Sequence, residues 1–504
     1  MSLLLIGMLT LAFSIQPVKA PSMTIIVPDD YTTIQEAINN ANDGDTIFVR
    51  NGTYYEHVVV NKTVSLIGEN RETAIIDGNG TGKVVHIVVD NVNITQFTIR
   101  NSRSDYPDGG GIYLSDSRNC NISFNILTSN YVGIWLWGSS HNYLMNNIAF
   151  NNSCGAIELR GSVDNILVDN NMSRNLRGIN MPSSSNNLII NNTATYNTWD
   201  GIHVYSYSSY NVFVGNDLSN NDFSGIDLDS YSSNNNLTGN TIYNNSEEGI
   251  RIGLRCMFNA LTDNSIMDGK KGIHLYDWAN NNTLISNTVS SNQYGIWFDS
   301  WPSSNNTIFH NNFVNNSNQV YIKEQINNIW DDGYPSGGNY WSDYNGSDLF
   351  LGENQDQLGS DGIGDTHYII DENNTDRYPL MNPWTPTIKA TVDFEPDTLN
   401  LRSKGKLVTC YIELPDGNDV ANINVSTIKL NGTVSAELKP TAIGDYDNDA
   451  IPDLMVKFDR TKVMEYILNS VSMTGKFVTV TLAITGKLND GTPFQGTDTI
   501  RIIN

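Results

Sequence analysis

The sequence predicts an all-β chain: a right-handed, single-stranded parallel β-helix with an N-terminal capping helix, followed by a β-sandwich domain. Three observations predict it. A glycine followed by an aliphatic residue recurs at Gly111, Gly133, Gly155, Gly178, Gly201, Gly225, Gly249, Gly272 and Gly295, every 22 to 24 residues, a solenoid period. An asparagine keeps step with it at Asn125, Asn146, Asn170, Asn192, Asn216, Asn240, Asn264, Asn287 and Asn311. Beyond residue 389 both markers stop and longer alternating strands begin.

A period this short, without a 3.6-residue pattern, makes each repeat one coil of short strands and turns. The segments GIWLW, GIHVY, GIDLD and GIHLY alternate with period two, so their aliphatic residues point inward and the intervening ones outward. Stacked turn asparagines would hydrogen-bond to their copies one coil away. A lone coil buries too little apolar surface to stand, so the array folds as a stack.

The elements follow in order. Residues 1–20, MSLLLIGMLTLAFSIQPVKA, form an apolar run ending in small and polar residues and read as a signal peptide, which places the protein outside the cell or on its surface. The β-helix is expected over 21–329. Within 24–50, Thr33 and Glu36 form a capping box, and Ile34, Ala37, Ile38 and Ala41 an apolar stripe, predicting a short helix that closes the first coil. Less regular coils follow, then regular ones over about 111–329. Residues 330–384, rich in Gly, Asp and aromatics, read as a loop-rich C-terminal cap. Residues 389–504 read as an immunoglobulin-like β-sandwich with strands such as KLVTCYIEL, FVTVTLAITG and DTIRII.

The net charge is −25 with only 16% charged residues. Nucleic acid is excluded as a partner, because tracking phosphates requires a basic stripe. The four cysteines, Cys120, Cys154, Cys256 and Cys410, lie far apart and read as buried filler rather than a disulfide framework. Numerous Asn-x-Ser/Thr sites, among them Asn51, Asn61 and Asn345, suit a glycosylated surface.

Within IGDYDNDAIPDLMVKFDR, the carboxylates of Asp445, Asp447, Asp449 and Asp453 fall at positions 1, 3, 5 and 9 of a calcium loop, with the Ile451 carbonyl at position 7. Position 6 is Ala450 and position 12 is Val456, so the bidentate ligand has to come from elsewhere, with Asp459 as the candidate. A weaker case exists for Asp356, Asp361 and Asp365 in the cap.

The outward positions of the glycine-led strands form two files. The first reads Trp135, Glu158, Asn180, His203, Asp227, Arg251, His274 and Trp297; the second reads Trp137, Arg160, Pro182, Tyr205, Asp229, Gly253, Tyr276 and Asp299. Both assume one extra residue after Gly155. Trp135, Trp137, Glu158, Tyr205, Tyr276, Trp297 and Asp299 are then candidate sugar-binding positions, because sugar rings stack on aromatics and charged groups hold hydroxyls and carboxylates. His203, Asp227, Asp229, Arg251 and His274 are the catalytic candidates. Arg251 would neutralise a uronate carboxylate, His203 or His274 would take the adjacent proton, and Asp227 with Asp229 would orient the base or hold a cation. The same charges also suit an ordinary cross-strand ladder.

The opening VPDDYTTIQEAINNANDGDTIFVRNGTYYE, the nine glycine-led repeats, and NNIWDDGYPSGGNYWSDYNG followed by DGIGDTHYIIDENNTDRYPLM closely resemble the NosD-like family of β-helix proteins, in particular its archaeal surface members, over about residues 24–384. The terminal domain resembles an accessory domain of secreted archaeal and bacterial proteins. The resemblance implies a carbohydrate-binding or sugar-hydrolase type of β-helix. Three functions stand open. The first is a non-catalytic surface protein that binds glycans or builds the envelope beside other surface proteins, with calcium stiffening the terminal domain. The second is a polysaccharide lyase, C5-epimerase or hydrolase. The third, implied by the family alone, is copper-site maturation of nitrous oxide reductase. Copper(I) favours clustered Met, Cys or His, and the seven histidines are scattered, so copper is not the expected cofactor.

Overall fold

The computed structural model describes residues 22–403, 405–415, 417–470 and 476–503; the expected export sequence at 1–20 lies outside them. They form two units that divide between Pro383 and Trp384. No helix among the described residues is long and apolar enough to cross a membrane.

The first unit is a parallel solenoid. One sheet of thirteen strands runs from Thr24–Val27 to Thr307–Phe309, and a second of twelve runs from Val58–Val60 to Asn318–Ile322. The third face is divided into sheets of seven and five strands, and between them Asp217 makes single bridges to Thr193 and Thr241. Period-two alternation sets the register. From Ile134 to Ile296 one isoleucine per coil lies over the next, each no more than 1% exposed. The extra residue after Gly155 is present: Ala156 takes the glycine position of its coil, and Ile157 pairs with Ile134.

The recurrent glycine answers a steric demand. A Cβ on Gly225 would lie 2.5 Å from Ile242 Cγ2, 2.7 Å from the Gly249 carbonyl oxygen and 3.0 Å from Asn245 Nδ2. At Gly225 adjacent coils approach too closely for a side chain, whereas the coil of Ala156 accommodates a methyl at the equivalent position.

The asparagine marker is one of three buried ladders. In the first, running from Asn125 to Asn339, each backbone N–H and side-chain amide donates to the Oδ1 of the next rung, as from Asn216 to Asn240 at 3.0 and 2.9 Å. A second runs from Asn142 to Asn328, and a third from Asn130 is interrupted at Gly269, which has no side chain to carry it. One expected member is corrected: the rung is Asn147, while Asn146 sits just before it in the left-handed region at φ 55°. Left-handed residues likewise precede rungs Asn125, Asn170 and Asn192.

The N-terminal end is closed by a helix, Ile34–Asn40, which buries Ile34, Ala37 and Ile38. Thr33 Oγ1 accepts from the Glu36 N–H at 3.2 Å, but the Glu36 carboxylate turns to the Thr32 hydroxyl. Glu56 takes the free amides of Ile34 and Gln35, at 3.0 Å each. At the other end Trp341 stacks between Phe313 and Tyr368, with ring centres 4.5 and 4.3 Å away. Its indole N–H and the Asn339 N–H donate to Asp376, whose burial still holds the carboxyl up at about 7. Asp356, Asp361 and Asp365, the weaker metal candidates, are not among the carboxylate groups that converge within 4.8 Å in the described residues. Asp361 accepts from Gln355 and Ile363, and Asp365 from Ser347, Leu349 and Phe350, which makes them turn-forming acceptors.

The second unit has two sheets around its own core, which includes Phe394, Cys410, Phe458, Leu482 and Ile500. One sheet of four strands contains Leu407–Glu413 and Asp453–Asp459; the other, of six, is built on the long pair Phe477–Leu488 and Pro493–Ile503. Two short strands join Pro493–Ile503 in parallel. A helix, Arg460–Ser470, follows the Asp453–Asp459 strand directly and buries Val463 and Ile467. The alternating-strand reading missed this i, i+4 pair.

Candidate functional site

The twelve-strand sheet holds the first file in register, pairing Trp135, Glu158, Asn180, His203, Asp227, Arg251, His274 and Trp297 in turn. Tyr113 extends it on one side and Tyr321 on the other. In the second file Trp137 stands beside Arg160, Pro182 beside Tyr205, and Tyr276 beside Asp299.

The ends of the stripe differ from the open platforms expected. Trp135 is 1% exposed, enclosed by Tyr106, Tyr113, Tyr131 and Trp137 with ring centres 5.4 to 6.3 Å away. The longer connection before Gly109 brings Tyr106 over it, so Trp135 packs rather than binds. Glu158 is likewise buried, held by Arg160 at 2.9 Å, and Arg160 also lies over the Trp137 ring. At the far end Trp297 stacks on Tyr321, ring centres 4.0 Å apart.

The centre of the stripe opens into a cavity of about 460 Å³ lined by Arg177, Trp199, Asp200, His203, Phe223, Asp227, Asp229 and Arg251. Trp199 and Phe223 are its exposed apolar lips, and the Arg177 guanidinium lies 4.3 Å from the Trp199 ring centre. Arg251 donates to Asp227 Oδ2 at 3.0 Å and to the Tyr276 hydroxyl, and stands 3.9 Å from Asp229. His203 Nε2 is 3.7 Å from the same Asp227 oxygen, while its ring stacks on Tyr205 at 4.4 Å. Buried Asp227 Oδ1 and His203 Nδ1 have no hydrogen-bond partner.

Burial governs the protonation states. It lowers His203 to about 3, helped by the Arg177 and Arg251 charges, so the imidazole is neutral. Asp227 is raised well above the usual carboxylate range, because burial and the negative neighbours Asp200, Asp229 and Glu248 outweigh Arg251. Asp200 is raised by burial in spite of Arg177. The cavity therefore pairs a neutral base with a carboxyl that favours its proton.

His274 belongs to a different arrangement. Its Nε2 lies 2.9 Å from Asp299 Oδ1 and its Nδ1 3.1 Å from Glu248 Oε1, with Lys271 3.0 Å from the same Glu248 oxygen. Burial would raise Glu248, but the His274 hydrogen bond and the Lys271 charge bring it down to about 2. With both ring nitrogens engaged, His274 is placed as a link between carboxylates, whereas His203 faces the cavity.

Sequence reasoning missed a third outward file, the residue just before each repeat glycine. Arg177, Asp200, Ser224, Glu248 and Lys271 occupy it, and charged residues recurring at the coil period, broken only by Ser224, were the available signal.

In the second unit Asp445, Asp447 and Asp453 offer oxygens within 4.8 Å of one another, as do Glu413, Asp447 and Asp449. Asp449 also bonds the Ile451 N–H within the loop. Asp459 is corrected as the extra ligand: it ends the strand that Asp453 begins and accepts from the Lys462 N–H. Glu413, paired across the sheet with Asp453, is the additional carboxylate. Burial and the nearby Asp449 raise Glu413, and burial and Asp447 raise Asp453, as expected where like charges converge on a cation-sized space. The donor set is hard oxygen throughout, which suits calcium.

Residues 75–233 and 145–289 match the family model described as a right handed beta helix region. A cell surface glycoprotein of Methanothermus fervidus is 32% identical over 108 residues, 21% of this chain and 17% of that protein. Among solved structures, the A-module of a mannuronan C-5 epimerase from Azotobacter vinelandii superposes with a TM-score of 0.52 at 16% identity, over 59% of this chain and 92% of that one. The catalytic domain of a GH87 alpha-1,3-glucanase gives a TM-score of 0.47 at 13% identity, over 65% and 70%.

Proposed function

We propose that this chain is a cell-surface β-helix protein that binds a polysaccharide on its twelve-strand wall, one sugar sitting in the cavity between Trp199 and Phe223. The observation that carries this reading is the cavity itself, in which two aromatic lips flank a small set of convergent polar groups. The lips would take the apolar face of a sugar ring. Arg177 and Arg251 would donate to hydroxyl or carboxylate oxygens. The surface location draws on the partial likeness to a cell surface glycoprotein, and calcium at the Asp447 loop would stiffen the terminal domain. Other envelope proteins are the natural neighbours of such an array.

A second reading, catalysis, is favoured by the partnerless Asp227 Oδ1 and His203 Nδ1. On a polyuronate, Arg251 would neutralise the carboxylate and His203 would take the C5 proton. Loss of the C4–O bond, with a proton from Asp227 to the leaving oxygen, gives a lyase; return of a proton to the other face of C5 gives an epimerase. On a neutral polymer Asp227 would protonate the leaving oxygen while Asp229, about 6.6 Å along the strand, activates water, a separation at the edge of the inverting range.

Titrating the full chain with a panel of uronate and neutral polysaccharides tests both readings, with unsaturated products and reducing ends recorded alongside. Binding lost in Trp199→Ala and Arg251→Ala supports the cavity. Binding that both variants retain overturns it.

A further inference from the structure

Beside the cavity the turn after each glycine-led strand changes length. In the earlier coils one residue, Gly138, Gly161 or Ser183, separates the last outward strand residue from a buried serine, Ser139, Ser162 or Ser184. From the coil of Gly201 onward an extra residue enters before the equivalent position, as at Ser208 and Ser232. The added residues are Tyr207, Tyr231, Arg255, Trp278 and, with Pro302, Trp301. The first four lie in the left-handed region, with φ between 54° and 65°, where Gly or Asn would sit at least cost. A turn lengthened merely to connect strands calls for those residues. This one instead repeats large aromatic and guanidinium groups.

The added side chains form one column. Tyr207 stacks on Tyr231 with centres 5.0 Å apart, and Trp278 on Trp301 with centres 5.2 Å apart. Between the two pairs the Arg255 guanidinium lies 5.8 Å from the Tyr231 ring centre and 5.1 Å from that of Trp278. Tyr207 is 68% and Trp301 58% exposed. The column spans four coil steps of about 4.8 Å, roughly 19 Å. On each coil it stands two residues beyond the second outward file, so it runs alongside the cavity and on past it.

We infer that this column is a second contact line for a polysaccharide chain lying along the helix axis, a deepening that rests on the polysaccharide reading of the cavity. A chain crossing the coils would meet a single member of the column, whereas one following the axis meets all five. Ring edges and the Arg255 guanidinium together suit a polymer of sugar rings bearing oxygens along both edges. The site would then discriminate by chain length.

The test uses the full chain, a Trp278→Ala/Trp301→Ala double variant and Arg255→Ala, titrated with mannuronate oligomers and with neutral cello-oligomers of increasing length. For whichever series binds, affinity should rise with length until the oligomer covers the column, then level off. The double variant should lose about tenfold or more for long oligomers, a step a few aromatic contacts can supply, and bind the shortest oligomer as the wild type does. Wild-type tryptophan emission should respond to long oligomers more than to short ones. If short oligomers bind but length makes no difference, or the double variant matches wild type on long ones, the column inference fails and the cavity reading survives. If no oligomer of either series binds, both fail. Trp301 and Arg255 are exposed and Trp278 is half-buried, and unchanged melting of each variant would separate a binding defect from misfolding.

Discussion

Arg251 Nη1 stands 3.0 Å from Asp227 Oδ2, one strand along the sheet, and this contact draws only one of the two carboxyl oxygens. The other oxygen is buried without a partner. Replacing Asp227 by Asn keeps the shape of a side chain whose burial already disfavours its charge. Asp227→Asn should therefore change stability by less than about 1 kcal/mol at neutral pH and leave sugar affinity within about tenfold. It should cut any turnover by 10²-fold or more, the usual loss with a general acid or base. Turnover that survives the substitution, measured by reducing ends and unsaturated products, removes catalysis through Asp227.

His203 makes stability depend on pH. Its folded value, about 3, lies below the 6.5 of an unfolded histidine. The unfolded chain therefore binds the proton first, and stability falls as pH drops from 6.5 towards 3. Melting temperatures of His203→Gln should fall less over that window than those of wild type. Parallel curves would show that His203 titrates normally.

Glu248 adds a more acidic limb. Its folded value is about 2 against an ordinary 4.5, so its contribution, about 3 kcal/mol, is complete above 4.5 and is lost as pH falls through the lower value. Glu248→Gln should flatten the stability profile below pH 4.5 in denaturant titrations. An unaltered profile there would sever Glu248 from the His274 and Lys271 contacts.

The ladders and glycines should be costly to interrupt. Asn240→Ala leaves the Asn216 N–H and the Phe213 carbonyl without their bonds, and should cost about 3 to 5 kcal/mol in urea unfolding. Gly225→Ala forces a methyl against Ile242 and the Gly249 carbonyl and should cost about 1 to 3 kcal/mol. By contrast Gly161, at φ +58° and with no atom within 4 Å of where a side chain would begin, should accept Asn with little loss. Equal costs at the two glycines would deny the crowding.

Calcium should stabilise the terminal unit by about 2.7 kcal/mol at a hundredfold excess over its dissociation constant. Calorimetry with and without chelator should show that shift vanish in Asp447→Ala and Glu413→Gln and persist in Asp459→Asn. A shift unaffected by Asp447→Ala places the ion elsewhere.

The solenoid was legible because its two strongest signals have simple causes: a glycine where coils crowd together, and a period-two strand whose inward residues must be aliphatic. The same alternation placed His203, Asp227 and Arg251 in one file. Accessibility was not legible, since the burial of Trp135 depends on Tyr106, contributed by a connection outside the repeat. Arg177, Asp200 and Glu248 escaped notice because they precede the glycine, where the coil bends and simple alternation stops describing direction. Glu413 was hidden by distance along the chain; only strand pairing carries it to Asp453.

The asparagine rungs have a consequence for how such an array changes size. Each rung bonds to an identical group above and below, so removing one whole repeat would present matching edges that can rejoin, and duplicating one would add a storey without redrawing the rest. Length is thus a separable property of this wall, adjustable in units of a single coil while the two ends keep their lids.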